Sequence, residues 1–132
     1  MDAPPDRSQG RERSLKRKVV MDRVFAEGHN AKSFPLISRF AKVTQDGSAP
    51  SRVAFTVSKK RFRRAVDRNR VKRLMRESWR NLRSPFEGLM SDQEQCAVVL
   101  IFVGKDIPSQ EAMDKAMSRL LSKMKEALTE AT

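Results

Sequence analysis

The side chains best equipped for chemistry in this chain of 132 residues are cationic. Arg68, Asn69, Arg70, Lys72, Arg73, Arg76, Arg80 and Arg83 follow one another closely, and such groups bind anions through charge and directed N–H donors. With Val71 set at zero and about 100° per residue, Asn69, Lys72, Arg73, Arg76, Arg80 and Arg83 fall between about 100° and 200°. On a helix they form one continuous stripe. Arg68, Asn69 and Arg70 stand in its first turns, where the positive end of the helix dipole and the unsatisfied N–H groups already favour an anion. A guanidinium fork can hold a phosphate through two parallel hydrogen bonds. Asn69 adds a donor and an acceptor, suited to a sugar hydroxyl, a base edge or a metal-bound water. The spacing therefore predicts a phosphate-binding helix face.

The residues of bond-breaking chemistry are scattered by comparison. His29 is the sole histidine and follows a helical stretch, so it is expected to be a solvated loop residue. Cys96 begins an apolar run and is expected to be structural and buried. Asp67 and Glu77 stand alone within the basic segment, and neither a glycine loop for phosphates nor a zinc spacing is present. No catalytic residue and no metal ligand is assigned to this chain. Three classes of protein could use such a phosphate-binding face. A structural RNA-binding protein such as a ribosomal component would share the basic helix. A DNA-binding regulator would lay residues 68–83 in a major groove, and it normally brings a second helix a short turn away, which is not evident here. A self-sufficient nuclease would need a carboxylate cluster for metal ions.

The elements that must position the basic face can be read from composition and periodicity. Lys and Arg number 28 against 16 Asp and Glu, a formal charge of +12. Residues 59–83 hold twelve of those cations against Asp67 and Glu77, a net +10, so the excess is local and points to a nucleic-acid partner. The length fits one domain. One cysteine forms no internal disulfide, and the first eighteen residues hold no apolar run fit for a signal peptide, so a cytoplasmic location is expected. Residues 96–103 are the longest apolar run, far below the ~20 of a membrane helix, so no membrane partner is expected.

Residues 1–14, with Pro4, Pro5 and Gly10, read as a disordered basic arm, and residues 15–132 as a single RNA-binding domain. A first helix is expected over residues 15–27, with Val20 beside Val24, Met21 beside Phe25, and Gly28 as its cap. Residues 36–43 and 52–60 read as an antiparallel pair of strands joined through the turn-prone residues 45–50. Residues 65–83 form a helix with Val71, Leu74, Met75, Trp79 and Leu82 on its core side, stopped by Ser84 and Pro85. Residues 96–103 are a central strand covered on both faces. Ser109 caps a last helix that presents Met113, Met117, Leu120, Leu121, Met124 and Leu128. The class is α+β, with helices lying on a small mixed sheet.

Val57-Ser58-Lys59-Lys60, Ala65-Val66, Arg68-Asn69-Arg70, Val71-Lys72-Arg73-Leu74 and Arg76-Glu77, in that order, resemble the signature of the bacterial ribonuclease P protein subunit. Leu15-Lys16, Val24-Phe25 and Gly28 extend the resemblance, which covers residues 15 to about 128. It implies an α-β-β-β-α-β-α sandwich, ribosomal-protein-like, with a left-handed β-α-β crossover, an exception to the usual hand. It also implies a ribonucleoprotein endonuclease that removes the 5′ leader of precursor tRNA, with a large RNA subunit as catalyst and Mg2+ bound mainly by that RNA. The implied partners are the catalytic RNA and precursor tRNA, with no DNA. Carried over by position, Arg68, Asn69, Arg70, Lys72, Arg73, Arg76 and Arg80 contact the catalytic RNA. Met21, Phe25, Phe40, Ser58 and Lys60 line the leader cleft, between the first helix and the sheet. Met21 departs from the family's usual aromatic. Phe40 is chosen, with the face Leu36, Ser38, Phe40 and Lys42, because an aromatic ring stacks on any base; for Phe25 plain core packing is the alternative reading.

Overall fold

The run EQCAVVLIF has no polar side, so as a strand it needs cover on both faces and a neighbour along each edge. A computed structural model describes residues 28–44, 49–91 and 94–130 and gives this strand a neighbour along each edge, with Cys96, Val98, Leu100 and Phe102 buried. Four strands, β1 (His29–Ser33), β2 (Leu36–Thr44), β3 (Ser51–Val57) and β4 (Glu94–Phe102), form one sheet in the order β1-β2-β4-β3. Val98 of β4 lies opposite Phe40 of antiparallel β2 and opposite Val53 of parallel β3. Three helices accompany the sheet among the described residues: α1 (Ala65–Leu82), α2 (Ser84–Glu87) and α3 (Gln110–Glu130). The class is α+β, and α1 is the crossover between the parallel neighbours β3 and β4.

Several expectations change at this point. The strands expected to pair as a hairpin are both present but do not touch, because β4 inserts between them. Local turn residues favour a hairpin, yet leaving an all-apolar β4 at an edge would cost more than separating β2 from β3. Residue 29, expected in a loop, begins β1, and the half-buried His29 ring lies 5.5 Å from that of Phe40. β3 ends at Val57, and the chain turns where Phe62 N–H donates to Ser58 O at 3.1 Å. Ser84 and Pro85 end α1 but also open α2, whose buried Phe86 meets Trp79 edge to face at 6.1 Å. The arm over residues 1–14 and the helix expected over 15–27, with Met21 and Phe25, lie outside the described residues.

The principal core lies between the sheet and the two long helices. α1 contributes Val71, Met75 and Trp79, α3 contributes Met113, Met117, Leu120 and Met124, and the sheet contributes Leu36, Phe40, Val98, Leu100 and Phe102. Where α1 meets α3, the buried Ser78 hydroxyl donates to the Asp114 carboxylate, and Gln110 Nε2 donates to Ser78 Oγ at 2.9 Å. A polar pin at that crossing fixes the rotation of α1 about its own axis. Ser109 Oγ accepts from Ala112 N–H at 3.1 Å, the expected cap of α3.

Phe40 requires a correction. The period of two along β2 places Leu36, Ser38 and Phe40 under the helices, and all three are 0% exposed. A ring with no accessible face has none to offer a base, so Phe40 is a core residue and not part of a leader cleft. Phe40→Ala should therefore lower the unfolding free energy by about 3–5 kcal/mol in a urea titration. A loss within ~0.5 kcal/mol would return the ring to the surface.

Candidate nucleic-acid interface

The interface begins in the loop between β3 and α1. Phe62 anchors the middle of that loop in the core, with its ring 6.0 Å from that of Phe102. Arg68 reaches back from the first turns of α1, and its Nη1 donates to the carbonyls of Phe62 at 2.8 Å and Arg63 at 2.9 Å. Two attachments hold a segment whose own charges repel one another. Lys59, Lys60, Arg61, Arg63 and Arg64 all point to solvent from this loop. Arg64, in extended conformation, is the N-cap and makes no side-chain cap bond, and Asp67 stands in the first turn.

Along α1 the stripe is as expected. Val71, Met75, Ser78 and Trp79 are buried, while Asn69, Arg70, Arg73, Arg76 and Arg80 are exposed and Lys72 is half-buried. Its members are not equivalent. Arg80 Nη2 is engaged by the Glu77 carboxylate, with Oε1 at 2.7 Å. The Arg76 guanidinium lies over the Phe55 ring at 5.7 Å, and Arg83 Nε faces Glu87 at 3.5 Å. Among the described residues no carboxylate pairs with Arg70, Lys72 or Arg73. Uncompensated charge is therefore concentrated in the first turns of α1 and in the preceding loop. Lys59, Arg61, Arg63 and Arg64 belong to the basic stretch over residues 59–83 expected to form the binding surface, although the sequence assigns none of them a role of its own.

Ser58 and Lys60 fall within the strand expected over residues 52–60. They instead sit in the turn after β3, where Ser58 Oγ accepts from Lys60 N–H at 3.2 Å. Lys60 thereby joins the cations of the loop, and it is remote in character from the buried Phe40 face. The opposite face of the sheet has a floor of small side chains, with Ala41, Ala97 and Val99 clustered and Val43, Ala54 and Ile101 around them. Alternation puts Ile37 and Arg39 on that same side of β2.

Cys96 is buried, and removal from water pushes its thiol from the ordinary 9.0 up to about 12. It is a packing residue. Among the described residues no three His, Cys, Asp or Glu side chains come together in a way that would hold a metal ion, so no step is assigned to a protein-held ion. Among the described residues no helix is long and apolar enough to cross a membrane.

Comparison with known proteins agrees with these features. Residues 10–131 match the family model described as Ribonuclease P. The chain is 31% identical over 122 residues to the ribonuclease P protein component of Porphyromonas gingivalis strain W83, an alignment covering 92% of this chain and 89% of the relative. It is 33% identical over 118 residues to the protein of that name from Chlorobium phaeobacteroides, covering 81% of each. The solved structure of the Staphylococcus aureus RNase P protein is similar in fold, with a TM-score of 0.65 over 85% of this chain and 94% of that one, at 17% identity.

The inequality along the stripe has a measurable outcome. Replacing Arg73 with Gln should flatten the dependence of log RNA affinity on log salt by up to about one unit, whereas Arg80→Gln, already paired with Glu77, should change it by less. Equal effects at the two positions would contradict the pairing argument. The thiol gives a second test, read by stability against pH. A folded-state pKa above the unfolded value favours the neutral thiol in the fold, so the stability tied to Cys96 is present below pH 9.0 and is lost as pH rises toward about 12. Cys96→Ala should remove that part of the alkaline fall, and an unchanged curve would refute it.

Proposed function

The chain belongs to the ribonuclease P protein family, as the protein subunit of an RNA-based enzyme, and from that premise we propose how its surfaces divide the work. The outward face of α1 and the loop over residues 59–64 bind the RNA subunit. The supporting observation is the set of cations at Arg70, Lys72 and Arg73, which pair with no acid among the described residues and are held by a helix whose other side is locked in the core. Phosphates placed there release counterions and relieve the repulsion among these cations. Arg68 acts partly by positioning, since its two carbonyl bonds hold the loop against the first turn.

In this proposal the precursor tRNA leader meets the sheet on the side of the half-buried Ile37, Arg39 and Val43, because the other side is sealed by α1 and α3. Lys60, in the turn after β3, supplies a phosphate contact. Met21 and Phe25 keep their proposed part in the cleft from the family resemblance alone. The RNA subunit carries out the hydrolysis that releases the 5′ leader, and Mg2+ held by that RNA would activate water and stabilise the negative charge on the phosphoryl and leaving oxygens. The chain's own residues bind, orient and neutralise.

Reconstitution tests the division directly. The isolated protein should leave precursor tRNA intact, and adding a bacterial ribonuclease P RNA should give cleavage at magnesium concentrations too low for the RNA alone. Leader removal by protein rigorously freed of RNA would overturn it. Arg68→Lys should slow the reconstituted reaction while keeping the charge, because Nη1 alone makes both carbonyl bonds and an ammonium engaged there has no further nitrogen to offer a phosphate. A parent-like rate for a folded Arg68→Lys protein would assign Arg68 to diffuse charge.

A further inference from the structure

The turn between β1 and β2 carries the feature that the proposed function leaves unused. Phe34 is 75% exposed there, a whole aromatic ring in water, whereas among the described residues Phe40, Phe62, Trp79, Phe86 and Phe102 are buried. The turn is held in place, since Val103 N–H donates to Pro35 O at 2.8 Å and Ser33 pairs with Leu36. Phe34 and Pro35 border a pocket of about 480 Å³, within the roughly 300–1,000 Å³ typical of ligand sites. Arg61 and Lys105 stand on its rim, with Asp106 beside them, and all three are exposed.

The floor is kept low by Gly104. A Cβ at that position would lie 2.7 Å from the ring edge of Phe102 and 3.1 Å from Pro35 Cβ. Phe102 is 1% exposed and packed against Phe62, so it has nowhere to retreat. Glycine is thus required where the pocket needs depth. The chemistry is that of an unpaired nucleotide: a ring to stack on any base, two cations for the flanking phosphates, and a carboxylate to accept from a base amino group or a ribose hydroxyl. A purely apolar partner would leave Arg61, Lys105 and Asp106 unanswered.

We propose that Phe34, with Arg61 and Lys105, captures one unpaired nucleotide of the RNA subunit. The choice of strand rests on the proposed reading of α1 and on continuity with it. Arg61 belongs to the loop that Arg68 pins to the first turns of α1, so the pocket and the α1 face share one loop.

The test measures binding of the full chain to a bacterial ribonuclease P RNA, without precursor tRNA, and compares Phe34→Ala, Phe34→Leu and Phe34→Trp. Arg70→Gln with Arg73→Gln serves as the control for the α1 surface. Loss of a stacked base predicts affinity lowered by about 5- to 150-fold for Ala and Leu, with Trp close to the parent. Because the ring is solvent-exposed, none of these changes disturbs the core, and a circular dichroism melt confirms it. Parent-like binding by Phe34→Ala, with the α1 control weakened, overturns this inference alone. If the control is also unaffected, the α1 reading falls with it. Leu behaving like Phe would show simple apolar contact and refute stacking. A defect confined to precursor tRNA binding by the reconstituted enzyme would give the ring to the substrate and refute the assignment to the RNA subunit.

Discussion

The burial of one side of α1 decides where the charge of this protein stands. Val71, Met75 and Trp79 are each 0% exposed, and together they remove enough apolar surface from water to hold a helix that is otherwise rich in repelling cations. Once that side is fixed, the helical period leaves Asn69, Arg73, Arg76 and Arg80 no orientation except outward. The Ser78, Asp114 and Gln110 contacts then oppose rotation of the helix about its axis. Hydrophobic burial supplies the energy, and the polar pin supplies the register.

The repulsion held in this surface explains its supports. Exposed cations five to a short loop would favour an expanded chain, and the core anchors that loop through Phe62 while Arg68 engages its carbonyls. Farther along α1, Glu77 engages Arg80, and Arg83 faces Glu87 on α2. The helix is thus self-neutralised toward its C-terminus and left charged near its N-terminus. α3 offers a contrast, because its four Lys and Arg are matched by four Asp and Glu over residues 110–130. Charge is arranged by element and by turn, which gives a polyanion one favoured side.

The α1 face was legible in the sequence because a period of 3.6 marks both the buried and the exposed side of one continuous segment. Cys96 and the rest of β4 were legible for a similar reason, since an unbroken apolar run has only one place in a sheet. Phe40 was not. A period of two says which residues share a face and is silent about which face the helices cover, and that is settled only when Met113, Met117 and the rest of α3 return to the sheet. The order of strands was hidden likewise, because the residues between β2 and β3 carry local turn chemistry while the actual neighbour of both lies some forty or more residues onward in β4. The carbonyl bonds of Arg68 had no sequence signal separate from its charge, and the exposed Phe34 had none that distinguished it from a core aromatic.

The central claim is that RNA meets the loop and the first turns of α1 and not the charge-balanced outer side of α3. Residue-resolved chemical footprinting of Lys and Arg side chains, on the full chain with and without ribonuclease P RNA, addresses it most directly. The account predicts protection of Lys59, Lys60, Arg70, Lys72 and Arg73, with Lys115, Arg119 and Lys125 reacting as in the unbound protein. Protection of the α3 cations, with those of α1 and its loop still fully reactive, would contradict it.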